Sequence, residues 1–355
     1  LDETVTEHAI RRAGGGRFSY RVVCVALAFG ALLVTSVVYH ALLPPSLPEG
    51  VVEKLEFFAK HKDEFDTLFL GSSRFYYAVS PEAFDRITRE NGVPTRAFNF
   101  GIDGMNPPEN FYVLDQILKT EPRGLKWIFV EVDNIETKSH LKILGTRRLL
   151  YWHDWRRTAL TLKKAINPRP STTWYQRFNR LWTARRELIL HLGLFEKQFT
   201  NVGRAADFFS SLTESRGLKS DFLLGPKGDG YRLAGATMTP ERGEKFRRTL
   251  AAEVSASGPE FIDPYAESAY HDCAARIRKL GAAPIFVVTP SIFQAPLRFR
   301  ESPPPAPILV FNDYKTYPQL YDTKVRVDEQ HLTNEGAAEF TRLLALEFVR
   351  HARRP

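Results

Sequence analysis

Apolar residues run without a charge from Val22 to Tyr39 and continue through His40 to Leu43. At ~1.5 Å per residue, a helix of roughly eighteen such residues nearly matches the hydrocarbon core of a bilayer. Ala41, Leu42 and Leu43 complete it, and Pro44, Pro45 and Pro48 end it. Arg11, Arg12, Arg17 and Arg21 lie before the run. The pattern predicts a membrane helix over residues 22–43, and the positive-inside bias puts residues 1–21 in the cytoplasm and everything after residue 50 outside. A cleaved signal peptide is the rival reading. Against it stand the length of the run and the lack of a clear Ala-x-Ala site. A buried globular helix would show a polar face, and none interrupts the run.

Beyond this stretch the pattern changes to short apolar runs alternating with amphipathic ones. Residues 44–65 carry mixed charge and predict a helical stem. A strand is predicted over Thr67–Leu70, then a helix with Ser80 as N-cap, Pro81 at its first position and Asn91-Gly92 at its end. A second strand follows at Arg96–Phe100. The next helix, near Pro108–Lys119, offers Phe111, Val113, Leu114 and Ile117 on an apolar face. The third strand is Trp127–Val132.

From about 138 to 240 the alternation stops, and the chain becomes rich in Arg, Lys, Trp and Leu, with helical stretches such as Trp182–Leu192. This region reads as a helical insertion packed on an α/β core. The alternation then resumes with a helix at Tyr265–Leu280, strands at Pro284–Thr289 and Ile308–Phe311, and a closing helix from near Thr333. Ala337, Phe340, Leu344 and Phe348 share one face of that helix. Short strands buried on both faces, joined by helices, predict a parallel sheet covered on both sides. Right-handed crossovers place all strand C-termini on one edge, where sites form.

Composition narrows the picture further. The chain of 355 residues is 43% hydrophobic and 25% charged, which is the balance of a folded protein. Its net charge of +8 favours anionic surfaces without identifying one. No zinc-finger spacing, aromatic RNA-binding motif or long basic block is present, so nucleic acid is not an expected partner. Of two cysteines, Cys24 falls in the apolar run and Cys273 is left alone, so no intrachain disulfide is expected. His and Cys do not cluster at metal-ligand spacing, and no metal or other cofactor is expected.

Candidate chemistry collects at the predicted sheet edge. Gly71-Ser72-Ser73-Arg74 follows the first strand and Gly101-Ile102-Asp103-Gly104 the second. Asp133-Asn134 follows the third, and Asp328-Glu329-Gln330-His331 precedes the last helix. A serine at a strand end with a late Asp-x-x-His supplies the parts of an acyl-transfer triad. Each block also has a plain structural reading. Serines close strand-to-helix turns, Asp328 could cap a turn, His331 could be a satisfied histidine, and the glycines could serve tight turns.

Taken together, these four blocks in this order resemble those of the SGNH (GDSL-type) hydrolase superfamily. The chain is most similar to the membrane-anchored branch that acts on cell-envelope glycans, as in alginate O-acetylation and teichoic-acid D-alanylation. The resemblance covers roughly residues 66–134 and 284–348. Two positions depart from the pattern: Ser72 stands where the family has Asp, and Asp133 where it usually has Gly.

The resemblance implies a flavodoxin-like three-layer α/β domain over 66–355. It makes Ser73 the nucleophile, His331 the base and Asp328 its orienter. The amides of Ser73 and Gly104, with the Asn134 side chain, would form the oxyanion hole. Arg74 could bind an anionic group of the substrate or serve in a structural ion pair. Tyr151, Trp152, Trp155, Trp174 and Trp182 could line a sugar-binding surface or pack the insertion onto the sheet. The implied activity is O-acetylation of an exported or envelope polysaccharide, with a multispanning membrane O-acyltransferase as partner. A same-fold esterase or deacetylase and a non-catalytic assembly scaffold are the alternatives.

Overall fold

The structure is a computed structural model that describes residues 3–42, 47–135, 147–166, 173–200, 223–256, 260–292 and 296–353. Helix α1 (Glu3–Leu42) contains one segment, Ser19–Tyr39, long and apolar enough to cross a membrane. Its branched side chains stand in the open; Val25 is 69% and Val37 67% exposed. The expected span began three residues later, and its last residue, Leu43, lies outside the described residues.

Helix α2 (Glu49–His61) belongs to the globular core and is no spacer, which corrects the expected stem. Val51 and Phe58 are fully buried, because their spacing puts them on one face of the helix. Between them lies Lys54, also fully buried, whose Nζ donates to the carbonyls of Asn99 at 3.0 Å, Gly101 at 2.7 Å and Gly230 at 2.7 Å. Burial pushes its pKa well down, against the opposing pull of Asp103 and Asp229.

Five parallel strands form the central sheet: β1 (Thr67–Gly71), β2 (Ala97–Gly101), β3 (Trp127–Glu131), β5 (Ala283–Val288) and β7 (Ile308–Val310). Their spatial order is β2-β1-β3-β5-β7. Two short strands, β4 (Glu260–Phe261) and β6 (Leu297–Arg298), pair apart from it. The chain steps one way from β1 to β2 and then back past β1 to β3 on its other side. That reversal opens a crevice at the strand C-termini.

Alternation within each strand sends side chains to two separate cores. Leu68, Leu70, Ile128, Val130, Phe286 and Val288 meet helices α5 (Glu109–Lys119) and α10 (Pro264–Leu280) as well as α2. Phe69, Phe129, Ile285 and Val287 face α4 (Pro81–Glu90) and α11 (Asn334–Ala352) on the opposite side. There Phe348 packs on Phe84 at 5.5 Å, Trp127 at 5.1 Å and Phe129 at 5.3 Å between ring centroids. Ala337, Phe340, Leu344 and Phe348 are all fully buried, as the closing helix's stripe predicts.

The insertion contributes α6 (Arg147–Leu150), α7 (Trp155–Ile166) and α8 (Trp174–Thr200). Arg157 on α7 is clamped between Asp115 of α5 and Asp154, which fixes the insertion to the core. The segment 223–239 crosses the sheet edge as a strap. Asn99 N donates to Asp229 O at 2.9 Å, Arg232 N to Tyr76 O at 3.2 Å, and Met238 N to Arg326 O at 3.0 Å. It leads into α9 (Pro240–Ala256).

Candidate active site

Ser73 follows β1, a strand that is buried along its whole length, and the chain turns directly into the short helix α3 (Ser73–Tyr76). Ser72 caps that helix, its Oγ accepting from Arg74 N at 3.2 Å. Two glycines permit the close packing. A Cβ on Gly71 would lie 2.6 Å from Glu131 Oε2, and one on Gly101 would lie 2.4 Å from Tyr76 N.

Asn99, fully buried, ties α3 to β2. Its Nδ2 donates to Phe75 O at 2.8 Å and Val79 O at 2.7 Å, while its Oδ1 accepts from Gly101 N at 2.8 Å. This side chain satisfies Val79 O and Gly101 N, which the turn would otherwise strand, and adds a donor to Phe75 O, which also accepts from the amides of Ala78 and Val79.

His331 and Asp328 sit on a tight loop before α11. Val327 N donates to His331 O at 3.0 Å, and the loop is closed by a bridge between Arg326 and Leu332. Arg326 has no exposed surface. Its guanidinium donates to Leu320 O at 2.8 Å, Pro290 O at 3.3 Å and Glu329 O at 3.3 Å, and lies 4.6 Å from the Tyr321 ring centroid. Thr333 then caps α11 through Gly336 N at 3.3 Å. The loop that carries His331 and Asp328 is thus held by an arginine outside the motif.

The three side chains meet. Ser73 Oγ lies 2.7 Å from His331 Nε2, and His331 Nδ1 lies 2.8 Å from both oxygens of Asp328. Asp328 Oδ1 also accepts from the amides of Gln330 and His331, each at 2.8 Å. Partial burial opposes the charge on Asp328, but the bonds from His331 and these amides outweigh it and hold the pKa at about 2. An ionised Asp328 selects the tautomer with Nδ1 protonated, leaving Nε2 to accept from the serine hydroxyl.

The amides of Ser73 and Gly104 have no hydrogen-bond partner among the described residues. Gly104 adopts φ +64°, a left-handed turn that glycine enters without strain. The Asn134 side chain accepts from Asp263 N at 2.9 Å through Oδ1, and its own amide donates to Asp133 Oδ1 at 2.7 Å. Its Nδ2 has no hydrogen-bond partner among the described residues.

Arg74 takes a structural place. It is 6% exposed, with Nε 2.6 Å from Glu131 Oε1 and Nη2 2.6 Å from Asp133 Oδ2. Burial opposes its charge, yet the two carboxylates raise its pKa above the ordinary arginine value. Of its two expected roles, the structure gives it the ion pair. Glu131 also accepts from Ser72 N at 2.5 Å and Thr289 Oγ1 at 2.9 Å, so one buried carboxylate links β1, β3 and the strand after them. Its sequence signal is a charge inside an otherwise apolar strand, Trp127 to Val132.

Other residues around the site carried no sequence signal. The Tyr77 ring meets His331 edge-on at 6.1 Å, and its hydroxyl donates to Asp103 Oδ2 at 2.9 Å. Arg242 of α9 reaches Glu329 at 2.8 Å and Asp328 at 3.9 Å. The insertion's aromatic residues divide. Tyr151 and Trp152 are buried, the former bonded to Glu109 Oε1 at 2.5 Å, while Trp155, Trp174 and Trp182 are exposed. Among the described residues no group of three or more His, Cys, Asp or Glu side chains is placed to hold a metal ion.

No family model matches this chain, and no curated protein or solved structure is significantly similar to it.

Proposed function

We propose that this chain is a membrane-anchored serine acyltransferase of the SGNH type that O-acetylates an exported or cell-envelope polysaccharide. The observation that carries the reading is the relay from Ser73 Oγ through His331 to Asp328, at 2.7 Å and 2.8 Å, beyond the end of β1, where the order of the strand connections reverses. The four-block resemblance and the order β2-β1-β3-β5-β7, which is flavodoxin-like, support the same family.

In the first half-reaction Ser73 Oγ attacks the acyl carbonyl of a donor while His331 Nε2 takes the hydroxyl proton. The donor's leaving group departs with that proton, and the acyl group stays as an ester on Ser73. In the second half-reaction a sugar hydroxyl attacks that ester and gives its proton to His331, which returns it to Ser73 as the acylated sugar leaves. The amides of Ser73 and Gly104, with Asn134 Nδ2, would face the oxyanion in both steps. Each such donor is typically worth ~3 kcal/mol of barrier. The apolar helix at the bilayer and the arginines before it fit an N-terminus in the cytoplasm and a site outside the inner membrane, near a multispanning partner that supplies acyl groups.

Ser73→Ala and His331→Ala are expected to abolish acetylation of the polymer in cells while the protein stays folded; unchanged acetylation in both would overturn the mechanism. With water as the acceptor the same triad is an esterase. Release of p-nitrophenol from its acetate, unaffected by added glycan, would favour that reading. A Ser73 inert to a fluorophosphonate probe in folded protein would favour a polymer-assembly scaffold.

A further inference from the structure

Helix α8 is buried along one side and carries large apolar side chains along the other. One side packs on the domain: Ala184, Glu187, His191 and Leu194 are buried, and His191 Nδ1 lies 2.8 Å from His153 Nε2. The other side carries Trp174, Phe178, Leu181, Trp182, Ile189 and Leu192, each at least half exposed. At 100° per residue these six fall within an arc of roughly 100°, which also holds the exposed Arg185 and Glu196 and is centred about 150° from the buried face. A folded domain rarely leaves such a stripe in water, because each large side chain forgoes ~1.5–3 kcal/mol of burial.

The position of α8 says what covers the stripe. Its last turn touches the apolar helix α1, where Ser36 Oγ donates to Phe199 O and is itself 1% exposed. Ser36 is three residues from the end of the Ser19–Tyr39 segment, so Phe199 sits at the level where that segment would leave the hydrocarbon. The composition of α8 suits that depth. Arg177, Arg185, Arg186 and Lys197 are exposed along it, and the Arg185 guanidinium lies 5.6 Å from the Trp182 ring centroid. Aromatic rings at the headgroup level, with arginines reaching up to phosphates, are how an interfacial helix is built.

We infer that the outward face of α8 lies in the headgroup region of the bilayer, on the same side as the globular domain. This is a second attachment beside the spanning helix, selective for anionic lipid. Two attachments fix the domain's orientation where one helix would leave it to swivel. The inference rests on the reading of Ser19–Tyr39 as a membrane span.

The test uses the full chain reconstituted into vesicles of phosphatidylcholine and phosphatidylglycerol, with and without chain-brominated lipid. Bromolipid is expected to quench tryptophan emission, and Trp174→Phe with Trp182→Phe to remove most of that quenching. Both residues are exposed, so the exchange spares the core. Replacing Arg177, Arg185 and Arg186 by Gln should reduce the quenching. Resistance of the protein to carbonate extraction reports the spanning helix separately. Carbonate-resistant protein whose quenching is absent, or unchanged in the double variant, overturns the α8 inference and leaves the anchor standing. Release by carbonate overturns the anchor and the inference with it. A dimer in detergent that shields Trp174 and Trp182 from acrylamide would assign the stripe to a second copy and also overturn the inference.

Discussion

Ser73 Oγ and His331 Nε2 lie 2.7 Å apart although 258 positions separate them in the chain. The contact joins the turn after the first strand to the loop before the last helix, so it forms only when the whole sheet is assembled. Every consequence for activity passes through it.

Asp328 should act on rate chiefly through the imidazole. Asp328→Asn keeps the shape but removes the charge that selects the Nδ1-protonated tautomer. We expect a fall in acyl-transfer rate of ~10³–10⁴-fold with KM little changed. Steady-state kinetics on a model acetate ester would check it, and a fall of less than tenfold would remove Asp328 from the relay.

The same carboxylate makes stability depend on pH. Its pKa is depressed from 3.8 to about 2, so its contribution is complete above pH 3.8 and is lost as pH falls towards 2. Urea midpoints of the wild type and Asp328→Asn should therefore differ at pH 5 and converge towards pH 2. A constant difference across that range would contradict the assignment.

Arg74 should matter for folding more than for substrate affinity. Arg74→Ala leaves Glu131 buried beside Asp133 without a cation, at a cost of ~3–5 kcal/mol. Arg74→Lys should recover only part, because a single ammonium cannot reproduce the forked contact to two carboxylates. The readout is the denaturation midpoint of each variant. A variant as stable as wild type but with raised KM would return Arg74 to the substrate.

Asn99 should be critical although it never reaches the relay. Asn99→Ala strands Val79 O and Gly101 N, each worth ~1–3 kcal/mol when buried without a partner, and removes one donor from Phe75 O, which keeps the amides of Ala78 and Val79. We expect a large loss of stability together with lower fluorophosphonate labelling of Ser73, since α3 loses its tie to β2. Normal labelling at a normal melting temperature would contradict this role.

Much of the architecture was legible in the chain because periodicity and capping are local. The five strands of the central sheet lie within one residue of their expected ends, Ser80 caps α4 through Ala83 N at 3.4 Å, and Thr333 caps α11, whereas the short β4 and β6 were not expected. Residues 44–65 misled because a charged helix with an apolar face looks alike as a stem or as a core element. Lys54 decides it by finding three carbonyls from distant segments.

The sequence by itself determined the apolar helix, the alternation that makes a parallel sheet, and the four blocks that reach one edge. Their spacing is written in local propensity and in the period of burial. Only the tertiary structure decided that Arg74 is tied to Glu131 and Asp133, that Arg326 holds the histidine loop, and that the strap 223–239 binds the edge strand β2 and that loop. It also turned one side of α8 outward beside α1. These are pairings between residues far apart in the chain. No local pattern encodes them, because each depends on which surfaces the assembled sheet brings within hydrogen-bond reach.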